Sequence, residues 1–600
     1  MSRKKTIAGI AATLVTGVAI YCFFALKYPY HIHFQEQFQL FESTWEYFCS
    51  VVAVPGGLAD WAGRFLTQFF YYAPAGAAVM AVLLCAVQLS VWACCRRKSP
   101  VVFALGFIPV VSLLVYYCDE SALAGGAVAI ILSLACAALC GLVNGGRRRR
   151  VLQAALVPVV YMACGPLAVI FVLVTGVNEL TRRSHRSHGH HSHHGHHGRH
   201  HALPARVIYL AAAVAILALC PLIASLIFPY PLERLYLGVH YYRFHNILPG
   251  MLWVSALLCV LVVAAAAPES DYDSPWWHLP AGTVTFAAIA GIGAWLSLST
   301  ADSTKEEWMR YDFMVRMEMW NRIMMSADEH NPDNPTTVSC LNLALAKTGR
   351  MGDHMFEYFQ NGPEGLLPTF SRNFTGPITT GEIFWHLGMV NTAQRYVFEA
   401  QEAIPDFQKS ARCYKRLAET NIVNGDLDVA RKYLKSLHNA LFYRKWADET
   451  LALLDSGDVF DSRPELARAR DFRLKEHDFL FSDTEMDSML GLLNVENPSN
   501  TMAVDYLVAW CLLRKDLDRL SEVISLVTAP ALPKACQEAL MLKWMLTHSG
   551  FEGLPDYISS VYATRASQFI YDIQTGKPES EMRRLYGDTY WFYYYFRYHS

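Results

Sequence analysis

Residues Arg147–Arg183 read RRRRVLQAALVPVVYMACGPLAVIFVLVTGVNELTRR. The apolar core of this stretch, Val151–Val177, is too long for one simple span, which needs about 20 residues. Gly165-Pro166 falls in its middle, and proline lacks the N–H that a continuing helix would use, so the pair predicts a break and a chain reversal. The flanking arginines decide between the readings. As one span, the stretch would put Arg147–Arg150 and Arg182–Arg186 in opposite compartments, against the tendency of Lys and Arg to remain cytoplasmic. As a helical hairpin, it returns both clusters to one side.

Working outward from this hairpin, similar apolar runs occupy Thr6–Leu26, Ala73–Cys94, Val101–Cys118, Ala122–Val143, Val207–Phe228, Leu248–Ala267 and Ala281–Leu298. Arg3, Lys4 and Lys5 precede the first run, and Arg96, Arg97 and Lys98 follow the second. All basic clusters then share one face. The first run has a basic start like a signal peptide, but Lys27-Tyr28-Pro29-Tyr30 lacks a small-x-small cleavage pattern, so it reads as an anchor. Residues 1–300 therefore read as a transmembrane domain of about nine spans, multi-pass in the inner membrane, with the N-terminus cytoplasmic. Residues 301–600 fall outside the cytoplasm, in the periplasm of a Gram-negative cell. Composition agrees: 53% of residues are hydrophobic and 17% charged, against about a quarter charged in soluble proteins, and the charge concentrates after Ala301. A net charge of −2, with no basic, aromatic-interleaved strip, excludes a general nucleic-acid binder.

The second half carries a helical repeat. A tetratricopeptide unit is a hairpin of about 34 residues, with small residues where its helices cross and a glycine at the turn. The frame from Ala411 supplies Ala418, Gly425, Ala430, Leu434 and Leu437. The frame from Phe374 supplies Gly381, Gly388, Ala393, Val397, Ala400 and Pro405. Weaker frames begin at Ala301 (Trp308, Met324, Ala327, Pro332) and Pro335 (Gly349). Asn500–Thr528 reads as a further helical pair, and the aromatic run Tyr590–Phe596 as a helix sealing the end. The fold class is all-α: a polytopic transmembrane helix bundle followed by a tetratricopeptide-like α-solenoid.

Candidate functional residues fall in two loops. The tract at residues 184–201 is rich in histidine and heads a cytoplasmic loop over 184–205. His190, His191, His193, His194, His196 and His197 would bind metal loosely, because a Gly- and Ser-spaced tract lacks the fixed second shell of a catalytic site. The outside loop 28–72 is aromatic but too polar to span, and reads as interfacial helices around Pro55-Gly56-Gly57. It places Glu36 and Asp60 near the outer helix ends, with His31, His33, Glu42 and Arg64. Further outward polar groups are Asp119, Glu120, Glu233, Arg234, His240, Arg243 and His245. A carboxylate there could serve as a general base or hold a divalent cation bridging a lipid-linked phosphate; ordinary interfacial residues would look the same. The 15 cysteines have no CxxC spacing and read as buried thiols. The spans hold almost no ionisable groups, which disfavours ion-coupled transport. P-loop, GxSxG and HExxH patterns do not occur.

The stretches VPGGLADWAGRFLTQFFYY, SCLNLALAKTGRMGD, GPEGLLP, RLAETNIVNGDLDVARKYL and DFLFSDTEMDSMLGLL resemble an uncharacterised family of bacterial inner-membrane proteins, defined only as a domain of unknown function. The overall plan is also similar to GT-C type glycosyltransferases, which join a multispan domain to an extracytoplasmic tetratricopeptide domain. That likeness implies a catalytic acid in the first outside loop, at Glu36 or Asp60, and a divalent cation. In place of the paired acidic motif of many such enzymes, Glu36 here is flanked by Gln35 and Gln37. Two functions follow as expectations. One is a membrane protein presenting a periplasmic helical-repeat domain to a protein or polysaccharide partner. The other is a GT-C-like glycosyltransferase using a lipid-linked sugar donor. No diagnostic spacing decides whether the chain is an enzyme.

Overall fold

The computed structural model describes residues 3–182, 202–238, 240–267, 278–372, 374–475, 486–548, 550 and 553–597. Among these the regular structure is all helical, and the chain divides into two compact units.

The first unit is an apolar helix bundle. Among the described residues, five helical stretches are long and apolar enough to cross a membrane: Thr6–Lys27, Ala73–Cys94, Gly146–Thr181, Pro204–Ile227 and His278–Thr300. Shorter apolar helices cover Pro100–Tyr116, Gly125–Gly141 and Gly250–Ala265. Gly146–Thr181 is not one rod. Its legs, Gly146–Cys164 and Ala168–Thr181, are joined by a turn in which Gly165 adopts φ 56°. A buried ion pair proves the reversal: the Arg149 guanidinium bonds the Glu179 carboxylate, with Arg150 3.7 Å from the same group. In a straight helix Arg149 and Glu179 would stand about 45 Å apart at 1.5 Å per residue.

The pair also closes the basic end of the bundle. There Arg206 Nη1 donates to Arg182 O at 2.6 Å, Arg97 N donates to Ala266 O at 3.0 Å, and Arg96 feels the charges of Arg149, Arg182 and Arg206. Ala73–Cys94, about 33 Å long, leads from this end to the other. At the far end Tyr28 OH donates to Cys118 O at 3.2 Å, Tyr242 OH donates to Asp119 Oδ2 at 2.7 Å, and Lys305 pairs with Glu120 at 2.8 Å.

Two features of this unit add to the sequence reading. The loop 28–72 forms the helices Pro29–Glu36, Trp45–Val52 and Gly57–Thr67, but the last packs into the bundle rather than lying over it. Its backbone touches that of the helix Gly125–Gly141: a Cβ on Gly63 would sit 2.5 Å from Gly125 N. Gly56, at φ 80°, rests on the hairpin turn, with its N–H donating to Met162 O at 2.8 Å. Only residues without side chains permit such contacts. The second feature is the boundary. The first unit runs to Glu306 and takes in Pro405–Ala411 and Asn439–Arg444. Leu40 N donates to Lys409 O at 2.8 Å, Ser43 N to Asn439 O at 2.9 Å, and the Phe442 ring stacks on Tyr71. Hydropathy could not assign these short polar turns, because their partners lie hundreds of residues away.

The second unit is a solenoid-like array of short helices. Each frame read from the sequence opens a helix: Ser303–Arg316 with Trp320–Glu329, Pro335–Lys347 with Met351–His354, Thr375–Leu387 with Val390–Glu402, and Ala411–Asn424 with Leu427–His438. The small residues sit at close crossings. A Cβ on Gly381 would lie 3.1 Å from Val397 Cγ2, while Ala393, Ala418 and Ala430 are fully buried. Gly388 and Gly425 end their helices at φ 90° and 89°, the left-handed cap that glycine supplies without strain. A buried ionic ladder links three first helices. Arg412 binds Asp312 (2.6 Å), and Arg416 binds Glu382 (2.5 Å) and Glu419 (2.6 Å). The aromatic run forms the helix Tyr590–Phe596, with Tyr590 to Tyr593 buried. Trp591 Nε1 donates to Glu538 O and Tyr593 OH to Leu513 O, both at 2.7 Å. It packs into this unit, as a sealing helix should.

Candidate functional site

At its non-basic end the first unit encloses a polar chamber of about 260 Å³. The helix Gly57–Thr67 presents Asp60 and Arg64 one turn apart on its chamber face. The helix Trp45–Val52, capped by Thr44, adds Tyr47, Ser50 and Val51. The segment after the helix Pro204–Ile227 brings Tyr230 and His240, and the turn Pro405–Ala411 brings Asp406, Gln408 and Lys409. The backbone of the His240 segment is pinned by Leu123 N to Tyr241 O (3.2 Å) and Arg243 N to Ser121 O (2.8 Å).

Charges in and around the chamber are matched. Asp60 Oδ2 accepts from Arg64 Nη2 at 2.6 Å, and Arg64 Nη1 donates to Tyr47 OH at 3.4 Å. Burial opposes the Arg64 charge, but the attraction of Asp60 outweighs it and holds the guanidinium pKa above its ordinary value. Arg234 forms a fork to the Asp406 carboxylate and lies 4.4 Å from the Tyr230 ring centroid. Lys409 pairs with Glu42 at 2.8 Å. His245 Nε2 lies 2.8 Å from Asp406 Oδ2, and His240 Nδ1 lies 3.7 Å from the same oxygen. Burial, followed by Arg234 and His240, pushes His245 down to about 3; burial, followed by Arg64 and Arg234, pushes His240 well below its usual range. Both shifts favour the uncharged imidazole, and the short His245 contact is then a hydrogen bond from the imidazole to a carboxylate.

Several groups remain unsatisfied. Asp60 Oδ1 and both ring nitrogens of His240 have no hydrogen-bond partner among the described residues, although buried polar atoms nearly always find one. His240 and Asp406 also share a left-handed backbone, at φ 61° and 58°, a conformation uncommon outside glycine and often stored at functional sites.

The two predicted carboxylates part company here. Asp60 is on the chamber wall. Glu36 is buried but does not line it, and its oxygens accept from Tyr443 OH at 3.1 and 3.3 Å. His190, His191, His193, His194, His196 and His197 lie outside the described residues. Arg234, His240 and His245 were legible as outward polar groups. Asp406 and Lys409 were not, since they look like an ordinary turn between helical hairpins.

The second unit has a groove of its own, about 300 Å³, lined by Phe356, Tyr358, Phe359, Arg583, Phe592 and Arg597, among others. Aromatic faces with guanidinium groups suit peptide or sugar ligands.

Over residues 3–597 the chain matches the family of unknown function DUF6057, and it belongs to that family. Neither the curated proteins nor the solved structures contain a match.

Proposed function

We propose that this member of a family without an assigned activity is an inner-membrane protein that holds a tetratricopeptide-like domain in the periplasm to bind a protein or envelope polymer. The observation that carries this reading is the aromatic and arginine-lined groove of the helical unit, of the kind helical-repeat proteins use for extended ligands. The basic end of the bundle, where Arg96, Arg149, Arg182 and Arg206 gather, supports a cytoplasmic placement of that end by the positive-inside tendency. The chamber supports binding before catalysis, because Asp60 and Asp406 are each engaged by an arginine.

A glycosyltransferase of GT-C type is the second reading, favoured by one observation: Asp60 stands on the chamber wall with one oxygen unpartnered among the described residues. The chamber, at about 260 Å³, is just below the usual range of ligand pockets and suits a headgroup rather than a lipid chain.

A photo-crosslinking residue at Asn331 or Glu357, both exposed in the groove, tests the binding reading in living cells. A discrete adduct that disappears in R583E/R597E supports it. No adduct from either site, with altered envelope glycans in D60N at normal protein levels, would replace it with the enzyme reading.

A further inference from the structure

Among the described residues, neither ring nitrogen of His240 has a hydrogen-bond partner. A buried imidazole with neither ring nitrogen satisfied is costly unless something else is bound there. The groups beside it are metal ligands. One nitrogen from each of His240 and His245 and an Asp406 oxygen all lie within 4.8 Å of one another. The separations to Asp406 Oδ2, 2.8 Å and 3.7 Å, bracket the roughly 3.4 Å edge of a tetrahedron with bonds of about 2.1 Å.

We propose that His240, His245 and Asp406 form a binding site for a zinc-class divalent cation, with its fourth position open to the chamber. The inference stands apart from the assignment of function above. Two imidazoles and one carboxylate favour zinc and its neighbours over magnesium or calcium, which prefer oxygen ligands. Three protein ligands with an open position are the pattern of zinc sites that handle water or substrate.

The surroundings supply what such a site requires. Arg234 forks onto the carboxylate, Nη1 donating to Asp406 Oδ1 at 2.9 Å and Nη2 to Oδ2, the oxygen that also faces the histidines, and so fixes the carboxylate as an outer-shell partner does. Among the charged groups nearby, Arg64 and Arg234 oppose a cation, and Asp60 and Asp406 offset them. Asp60, whose Oδ1 has no partner among the described residues, also stands on the chamber wall. His240 and Asp406, from distant segments of the chain, both take the left-handed backbone.

The test uses the full-length protein in detergent, with every histidine of the 184–201 tract replaced by serine so that loose binding there is removed. After chelator treatment, ZnCl2 is added, unbound metal is removed, and bound zinc is counted and its affinity measured by competition. The expected result is one equivalent per chain. H240N, H245Q and D406N should each weaken it by more than about tenfold, the loss that even outer-shell changes produce. Asn is tolerated in left-handed backbone, so H240N and D406N preserve the local fold. CoCl2 gives a readout that needs no variant: intense visible bands of a four-coordinate site are expected in the parent. Retained zinc unaffected by all three substitutions, or weak octahedral cobalt bands, would overturn the proposal, as would a tract-free parent that binds no zinc.

Discussion

Glu538 offers a quantitative test of packing in the helical unit. Its side chain is fully buried on the helix Lys534–Thr547, where Oε2 accepts from Tyr590 N at 2.7 Å and Oε1 has no partner among the described residues. Burial raises its pKa from an ordinary 4.5 to about 7, against the lowering effect of the Tyr590 hydrogen bond and of Lys534. At 1.36 kcal/mol per unit, this shift corresponds to about 3 kcal/mol. The sign follows from linkage. A carboxyl whose folded pKa lies above its unfolded value favours folding fully only below about pH 4.5, and that contribution disappears as pH rises through about 7. E538Q keeps an acceptor for Tyr590 N and cannot ionise. Its stability relative to the parent should therefore grow by about 3 kcal/mol between pH 4.5 and pH 8 and then level off. Asp505, raised to about 6 by burial, titrates in both proteins and largely cancels. The assay is the denaturant midpoint of peptides from Lys534–Thr547 and Tyr590–Phe596, followed by pulsed hydrogen exchange in the intact chain. A stability difference that is flat with pH, or that shrinks as pH rises, would show that burial does not raise the Glu538 carboxyl.

Other perturbations test the bundle. E179A strands the buried Arg149 guanidinium and should destabilise by about 3–5 kcal/mol, whereas R149M/E179M should be near neutral; thermal unfolding in detergent reads both. G63A places a Cβ 2.5 Å from the Gly125 backbone and should sharply reduce folded yield in size-exclusion profiles. G491A, with nothing within 4 Å, should be neutral or slightly stabilising in the same measurement. D60A strands Arg64 and should lower the melting temperature well below that of E36Q, which retains an acceptor for Tyr443 OH; equal melting temperatures would contradict the buried Asp60–Arg64 pair.

What the sequence made legible follows the range of each interaction. Gly165-Pro166 between two arginine clusters was enough for the hairpin, because a local break and a charge bias determine it. Gly381, Gly388, Ala418 and Gly425 marked helix crossings and turns, since small residues at fixed spacing have a local steric cause. The chamber is non-local. Asp60 meets groups from Tyr230 to Lys409, and no spacing in the chain encodes that meeting. Glu36 and Asp60 looked equivalent as acids in one outer loop. They separate only because the contact of Gly63 with Gly125 draws one helix inward while Tyr443 occupies the other carboxylate. Arg149–Glu179 was half legible: the residues were visible near the helix ends, but their pairing required the hairpin.

The proposed placement is tested most directly by the side of the membrane on which the second unit lies. Asp428 has a side chain 99% exposed, and Ser184 begins the histidine tract between the arginine clusters. Cysteines placed at these two positions in separate chains are treated in intact cells with a maleimide that cannot cross the inner membrane, against the background of the parent. Position 428 should label without lysis and position 184 only after lysis. Labelling of both from the same side, or the reverse order, would contradict that placement.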